Sequence, residues 1–331
     1  MTDAVSAVDL APVSTPGVAT SGPRDGRWLV IHNPVAGRAR NGRAWQDFER
    51  ALRRQGLRFD VCTTRCAGDG ARLAARGVRQ GADRILVAGG DGSVHEVLNG
   101  WMRARLTDGA NRSAPPLLVP VPLGTGNDWA RSLRLPRDPD RLALLLASAR
   151  PSLHDLGVIR FPQQGDETRW FVNVAGAGFD AHVIARVPAP TPSTFAYLAG
   201  ALRELRGYRS PRFRISLDGG ATREGRFLLA FVANGQYCGH RMHVAPPALL
   251  DDGRLDVVTI DEVGLARALP KLLKLYFGNV LRDPLVRHAT AERVRIESDP
   301  VTAVEADGQL VGTTPADFRV ERGALRVLRG P

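Results

Sequence analysis

"LVAGGDGSVHE", residues 86–96, is an apolar run that stops at two glycines, sets one aspartate in the turn, adds a third glycine and then takes up helical spacing. A strand, a glycine turn and a helix make the repeating unit of an open α/β sheet, whose ligands gather beyond the carboxyl ends of its parallel strands. The same unit recurs on both sides of this stretch. "RWLVIH" (27–32), "LRFDVCTT" (57–64), "RILVA" (84–88) and "PLLVPVPL" (116–123) read as strands. Between and after them, "GRAWQDFERALRRQG" (42–56), "DGARLAARGVRQG" (69–81), "SVHEVLNGWMRAR" (93–105), "NDWARSLRL" (127–135) and "PDRLALLLASA" (139–149) have helical spacing. Strands apolar on both faces and separated by helices predict a doubly wound parallel sheet.

Beyond about Pro151 the texture changes. Runs such as "RWFVNVAG" (169–176), "FLLAFVANG" (227–235), "RLDVVTI" (254–260), "ERVRIES" (292–298) and "VTAVEADG" (301–308) are short strands between turns, which predicts a β-rich, mainly antiparallel sandwich. Two helical stretches, near 194–209 and 264–282, interrupt it. The expected organisation is a tail over 1–26, an α/β nucleotide-binding domain over 27–150 and the β-rich domain over 151–331, with the last strands free to return towards the first domain. The tail, "MTDAVSAVDLAPVSTPGVATSGPRDG", has acidic residues where a signal peptide is basic and lacks an apolar stretch; it reads as disordered, and the compartment as cytoplasmic.

Composition narrows the classes of function. Hydrophobic residues at 44% and charged residues at 24% belong to a globular protein, and no run approaches the roughly 20 apolar residues of a spanning helix. The net charge of +11, almost all arginine because Lys271 and Lys274 are the only lysines, favours anionic partners. Nucleic acid is not among those expected, since no aromatic platform or binding motif accompanies the arginines. Cys62, Cys66 and Cys238 lack the spacing of a four-ligand zinc site and read as reduced thiols.

Three strands end in glycine-rich loops: "IHNPVAGRAR" (31–40), "VAGGDGSVHE" (87–96) and "VPLGTGNDWAR" (121–131). Gly37, Gly89, Gly90, Gly92, Gly124 and Gly126 let backbone approach a ligand, and the helix N-termini that follow aim unpaired N–H groups at it, so phosphate is expected there. The spacing is neither a Walker A motif nor a dinucleotide G-x-G-x-x-G fingerprint. A carboxylate beside phosphates is repelled unless it binds magnesium or accepts a proton from an attacking hydroxyl, and both are kinase roles for Asp91. The competing reading makes Asp91, like Asn127 and Asp128, a helix cap.

"NPVAG" (33–37), "GGDGS" (89–93) and "PLGTGND" (122–128), in this order, resemble the lipid kinase family of diacylglycerol and sphingosine kinases, most closely its bacterial soluble branch. "NVAGAGFDA" (173–181), "APPALLDDGRLDVV" (245–258) and "VEADGQLVGTTP" (304–315) extend the resemblance through the second half. It implies a nucleotide-binding domain like that of NAD kinase and phosphofructokinase, a lipid-binding sandwich, and transfer of the ATP γ-phosphoryl group to a lipid hydroxyl, diacylglycerol by default. It places Asn33, Pro34, Gly37, Thr64, Gly89, Gly90, Gly92, Ser93, Glu96, Gly124, Thr125, Asn127 and Asp128 at the ATP site. It also implies a structural Mg2+ held by Asp252 with the carbonyls of Leu249 and Arg254.

One departure bears on catalysis. The family commonly reads D-G-E where this chain has Asp307, Gly308 and Gln309, and an amide cannot accept the substrate proton. The expected catalytic set is therefore Asp91, Asp307 and Gln309. Glu305 is a further candidate, on the premise that residues 305, 307 and 309 alternate along one strand face. Two other readings stand beside the lipid kinase: a family member that senses lipid without turnover, and a kinase for a soluble substrate, since NAD kinases and phosphofructokinases also use a G-G-D-G turn.

A lipid acceptor implies work at an anionic membrane surface, as a peripheral protein on the inner face. "GLARALPKLLKLYFGNVLRD" (264–283) has apolar residues at helical spacing with Arg267, Lys271 and Lys274 on another face. That pattern suits an interfacial helix and equally a helix packed on its own domain. The sequence leaves oligomeric state open, a homodimer included.

Overall fold

The computed structural model describes residues 26–37, 41–107, 114–186, 194–239, 241–264, 274 and 280–331. The tail expected over 1–26, apart from its last residue, and nearly all of the basic amphipathic stretch expected over 264–282 lie outside the described residues.

The first half alternates as its periodicity predicts: β1 (Trp28–His32), α1 (Asn41–Arg54), β2 (Phe59–Thr63), α2 (Asp69–Arg79), β3 (Arg84–Gly89), α3 (Asp91–Thr107), β4 (Leu117–Pro122), α4 (Asp128–Ser132) and α5 (Pro139–Ser148). The strands pair in parallel in the order β2-β1-β3-β4. All six residues of β3 are buried, because helices cover both faces of a central parallel strand. The three glycine loops therefore leave neighbouring strands at one edge of the sheet.

The second half comprises β5 (Ser152–Phe161), β6 (Glu167–Phe171), β7 (Val174–Gly178), α6 (Phe179–Arg186), α7 (Thr194–Leu205), β8 (Arg212–Leu217), β9 (Thr222–Ala233), β10 (Tyr237–Cys238), β11 (Met242–His243), β12 (Leu255–Asp261), β13 (Val286–Ala291), β14 (Arg293–Asp299), β15 (Ala303–Ala306), β16 (Gln309–Thr313) and β17 (Ala316–Val327). Its pairings are antiparallel, with one exception: β17 also meets β4 in parallel, through Arg326 and Leu117. Leu156 and Val158 of β5 and Leu325 and Val327 of β17 lie in the same apolar core as the parallel strands. Further cores, around Phe213, Phe227 and Phe318 and around Phe179, Val244 and Val258, belong to the second half.

One expectation fails in the backbone. Residues 305, 307 and 309 do not alternate along a single strand. β15 and β16 form a hairpin in which Ala306 pairs with Gln309, so Asp307 and Gly308 are the two turn residues. Both have positive φ, 49° and 82°, as the mirror-image turn of a two-residue hairpin requires. An Asp-Gly pair between strands is the usual occupant of that turn, so the dipeptide outweighed the alternation.

Candidate active site

The loops after β1, β3 and β4 and the second half enclose a cleft of about 590 Å³. On one side it is lined by Asn33 to Gly37, Thr64 to Ala67, Gly90 to Val94, Glu96 and Gly124 to Gly126; on the other by Val172 to Val174, Asp180, Ile184, Phe231, Cys238, Met242, Glu305 and Asp307 to Gln309. The loop wall carries backbone and small polar groups with the cation Arg65 and the carboxyl groups of Asp91 and Glu96. The opposite wall is largely apolar with three carboxyl groups set in it.

The loops are locked to one another before any ligand is considered. Asn33 donates from Nδ2 to Ser93 Oγ at 2.9 Å and accepts the Val35 N–H at 3.1 Å, so it ties the first loop to the second. A side chain on Gly37, whose φ is 68°, would overlap the Leu123 carbonyl oxygen, and one on Gly124 would overlap Gly90 Cα. These two glycines are required by loop-on-loop contact, whereas Gly90 and Gly92 present backbone to the cavity. Two residues expected at the nucleotide site stand behind the wall instead. Gly89 ends β3 against Ser93, and Asn127, with left-handed φ of 52°, uses its amide to bracket Gly124, accepting from its N–H at 3.0 Å and donating to its carbonyl at 2.6 Å. Neither lines the cavity. Glu96 does, but its carboxylate also holds the loop before α2, accepting from Gly68 and Gly70 N–H at 3.1 and 3.2 Å.

Asp91 is the first residue of α3, yet it caps a different helix. Its Oδ1 accepts the N–H groups of Asp128, at 2.9 Å, and Trp129, at 3.4 Å, the first two residues of α4. Burial and the neighbouring Asp128 push its pKa up to about 7, with Asp307 adding to the rise and the two amides opposing it. A carboxyl group titrating near neutrality on a cleft wall is suited to general base work. Asp128 in turn accepts from Arg131 Nη1 and from the Arg241 N–H, both at 2.9 Å, and so connects α4 to the second half.

Asp307 is used differently. Its carboxylate accepts three successive main-chain N–H groups, those of Val172 and Asn173 at 3.0 Å and Val174 at 3.3 Å. That consumes most of its accepting capacity on the turn between β6 and β7. The adjacent Gln309 is brought over the G-G-D-G loop, where a Cβ on Gly92 would stand 3.1 Å from its Nε2.

Cys238, Asp180 and the apolar wall residues join the cleft from the second half. Asp180 and Glu305 sit together because β15 pairs with β7, with Glu305 opposite Gly176, and a Cβ on Gly176 would overlap Asp180 Oδ2. Burial raises both pKa values, that of Asp180 to about 7, and the nearby Asp180 adds to the rise at Glu305. The motif "GFDA" marked Asp180, but its partner lies 125 positions away in sequence and became visible only through strand register.

Leu249, Asp252 and Arg254 are not on the cleft wall. The turn around Gly253, at φ 72°, is held by Asp155, whose two carboxylate oxygens accept the N–H groups of Gly253 and Gly323 at 2.7 Å. One carboxylate and two carbonyls are hard oxygen donors of the kind magnesium takes. Asp252 is exposed on this turn and its Oδ1 accepts the Arg254 N–H at 3.0 Å, so by the chemistry of its donors the turn fits the ion. Among the described residues no three His, Cys, Asp or Glu side chains are grouped to bind a metal by themselves.

Residues 27–159 match the diacylglycerol kinase catalytic domain, and residues 173–329 match the YegS C-terminal NAD kinase beta sandwich-like domain. A diacylglycerol kinase of Bacillus subtilis (strain 168) is 28% identical over 302 residues, covering 88% of this chain and 92% of that protein. A diacylglycerol kinase of Staphylococcus aureus (strain MRSA252) is 27% identical over 295 residues, covering 88% and 89%. Among solved structures, a diacylglycerol kinase from Bacillus anthracis str. Sterne superposes with a TM-score of 0.69 at 23% identity, over 92% of this chain and 97% of that one. An NAD kinase from Archaeoglobus fulgidus in complex with ATP does so with a TM-score of 0.50 at 13% identity, over 92% and 94%. The fold is shared with both.

Proposed function

The chain belongs to the diacylglycerol kinase catalytic domain family and is a lipid kinase, and from its cleft we propose that it transfers the γ-phosphoryl group of ATP to the hydroxyl of diacylglycerol. The observation that carries this reading is one cavity with two unlike walls. Backbone amides and small polar groups, with Asp91 among them, face the apolar residues Val174, Ile184, Phe231 and Met242. The relatives named diacylglycerol kinase support the acceptor, and the ATP complex of the NAD kinase supports the nucleotide.

In this reading Asn33 to Gly37, Thr64, Gly90 to Ser93, Glu96 and Gly124 to Gly126 hold the nucleotide. Asp91, in its ionised form, takes the proton from the acceptor hydroxyl as the O–P bond forms and the bond from the γ-phosphorus to the β-phosphate oxygen breaks, releasing ADP. Asp307 shapes the acceptor wall through the 172–174 turn. Gln309 orients the hydroxyl without taking its proton, a lesser need where the transition state is loose and positioning and charge dominate. Asp252 with the carbonyls of Leu249 and Arg254 would hold Mg2+, which would supply positive charge at the turn that Asp155 anchors. The net charge of +11 draws the protein to an anionic membrane surface on the cytoplasmic side, where the acceptor resides. No helix among the described residues is long and apolar enough to cross a membrane.

The test is a transfer assay with γ-labelled Mg-ATP and three acceptors: dioleoylglycerol in mixed micelles, NAD and a sugar phosphate. Label is expected in the lipid-extractable product alone. Label only in a water-soluble product overturns the lipid acceptor, and nucleotide binding by calorimetry without any transfer favours a lipid-sensing protein.

A further inference from the structure

His154 and Trp129 form a buried contact that the reaction as described does not use. His154 is the third residue of β5 and is fully buried; Trp129, in α4, is 1% exposed. The indole Nε1–H donates to His154 Nε2 at 3.1 Å, and His154 Nδ1 bonds the Asp155 main-chain carbonyl. An indole can only donate and a carbonyl can only accept, so the partners set the tautomer: proton on Nδ1, lone pair on Nε2. Burial holds the His154 pKa down to about 4, which keeps the ring neutral and preserves that acceptor.

At its other end Trp129 belongs to the machinery. Its main-chain N–H is one of the two amides on Asp91 Oδ1. α4 has only five residues and its cap, Asn127, makes no side-chain bond to the helix, so a helix this short has little rigidity of its own. What holds it lies outside it. Asp155, beyond His154, accepts from Gly253 and Gly323 and receives the Asn234 side-chain amide on its carbonyl at 3.0 Å, which makes it a fixed point of the second half.

We infer that His154 is a positioning residue for phosphoryl transfer: through the Trp129 indole it fixes the N-terminus of α4, and thereby the amides that orient and tune Asp91. The inference rests on Asp91 being the base. Around Asp91, Asp128 and Asp307 are the charged neighbours, with Arg131 paired to Asp128 and His95 Nδ1 3.7 Å from Asp307. Around His154 they are Arg329, Asp251 and Asp307. α4 carries both the amides that lower the Asp91 pKa and Asp128, whose charge raises it, so loosening the helix changes both influences and shifts the pKa of the base.

Three variants test this with Mg-ATP and dioleoylglycerol in mixed micelles: Trp129→Phe, which removes the donor, His154→Phe, which removes the acceptor, and His154→Gln, whose amide can accept from the indole and donate to Asp155. Trp129→Phe and His154→Phe are each expected to lower kcat by roughly tenfold while KM for ATP changes little, as for a displaced reacting group. The acid limb of the kcat profile is expected to shift, the double variant to be no worse than either single one, and His154→Gln to recover most of the loss. An unmoved acid limb, additive losses, or a loss that appears in KM for ATP alone overturns the inference. If His154→Phe does not fold, Trp129→Phe decides by the same readouts. Asp91→Asn, run alongside, separates the two failures: if it retains turnover, the base assignment falls and the inference with it; if it is inactive while the other variants behave as wild type, only the positioning role falls.

Discussion

Asp91 and Asp307 are both aspartates followed by glycine at a turn, on opposite walls of one cleft, and they do contrary things. Asp91 accepts two amides on one oxygen only and is pushed up to about 7 by burial and by Asp128. Asp307 spreads its carboxylate over three amides of the turn between β6 and β7. The lesson is that an Asp-Gly turn acquires its chemistry from the loop that packs against it. α4 supplies two N–H groups beside another carboxylate, which leaves Asp91 reactive; the 172–174 turn supplies three and leaves Asp307 spent.

The comparison breaks most readily at Asp91. Asp91→Asn is expected to lower kcat by roughly two to four orders of magnitude, the range for loss of a positioned general base. An amide oxygen still accepts from α4, so the fold is retained. If turnover survives, the two aspartates do not differ as described. Stability should move the other way. A carboxyl whose pKa is raised in the folded state, from 3.8 to about 7, favours folding fully only below its unfolded value, and that contribution is lost as pH rises through about 7. Asp91→Asn should thus melt at a higher temperature than wild type at pH 8 and lose that advantage at pH 4; calorimetric melts at the two pH values decide.

Asp307→Ala should show the opposite balance, destabilising by roughly 3 kcal/mol because three buried amides lose a charged acceptor and alanine tolerates the positive φ less well than aspartate. Denaturant titration measures it, and a change below about 0.5 kcal/mol would sink the structural reading. The pH dependence of wild-type kcat is a gentler test: activity should fall as pH drops through about 7, since Asp91 must be ionised. A flat profile between pH 6 and pH 8 contradicts this. The smallest effect is expected from Gln309→Glu. Its side chain is exposed beside Gly92, and if Asp91 is the base the added carboxylate changes kcat only by a factor of a few. A rise of about a hundredfold would transfer the base to position 309.

Much of the first half was legible because its signals are local. Apolar runs such as Arg84–Gly89, helical spacing and the glycines after β1, β3 and β4 lie within a few residues of one another, and together they placed three loops at one sheet edge. What those glycines do was less legible. The sequence suggests backbone bared to a ligand, yet Gly37 and Gly124 are bare because Leu123 and Gly90 stand against them. Asn127 looked like a ligand contact and is a bracket for its own loop. The acceptor wall was least legible, since Asp180 meets Glu305 only through the register of β15 on β7. At Asp307 two local signals conflict, strand alternation and an Asp-Gly turn, and the turn prevails.

The return of β17 to the parallel sheet has a consequence for biogenesis. Arg326 pairs with Leu117, and the Gly330 N–H donates to the Leu133 carbonyl at 2.9 Å, just past the helix that steadies Asp91. The nucleotide-binding half is thus completed by a strand translated well after its own strands. Without β17 the β4 strand would present an unpaired edge, so the late strand also protects the parallel sheet from mispairing.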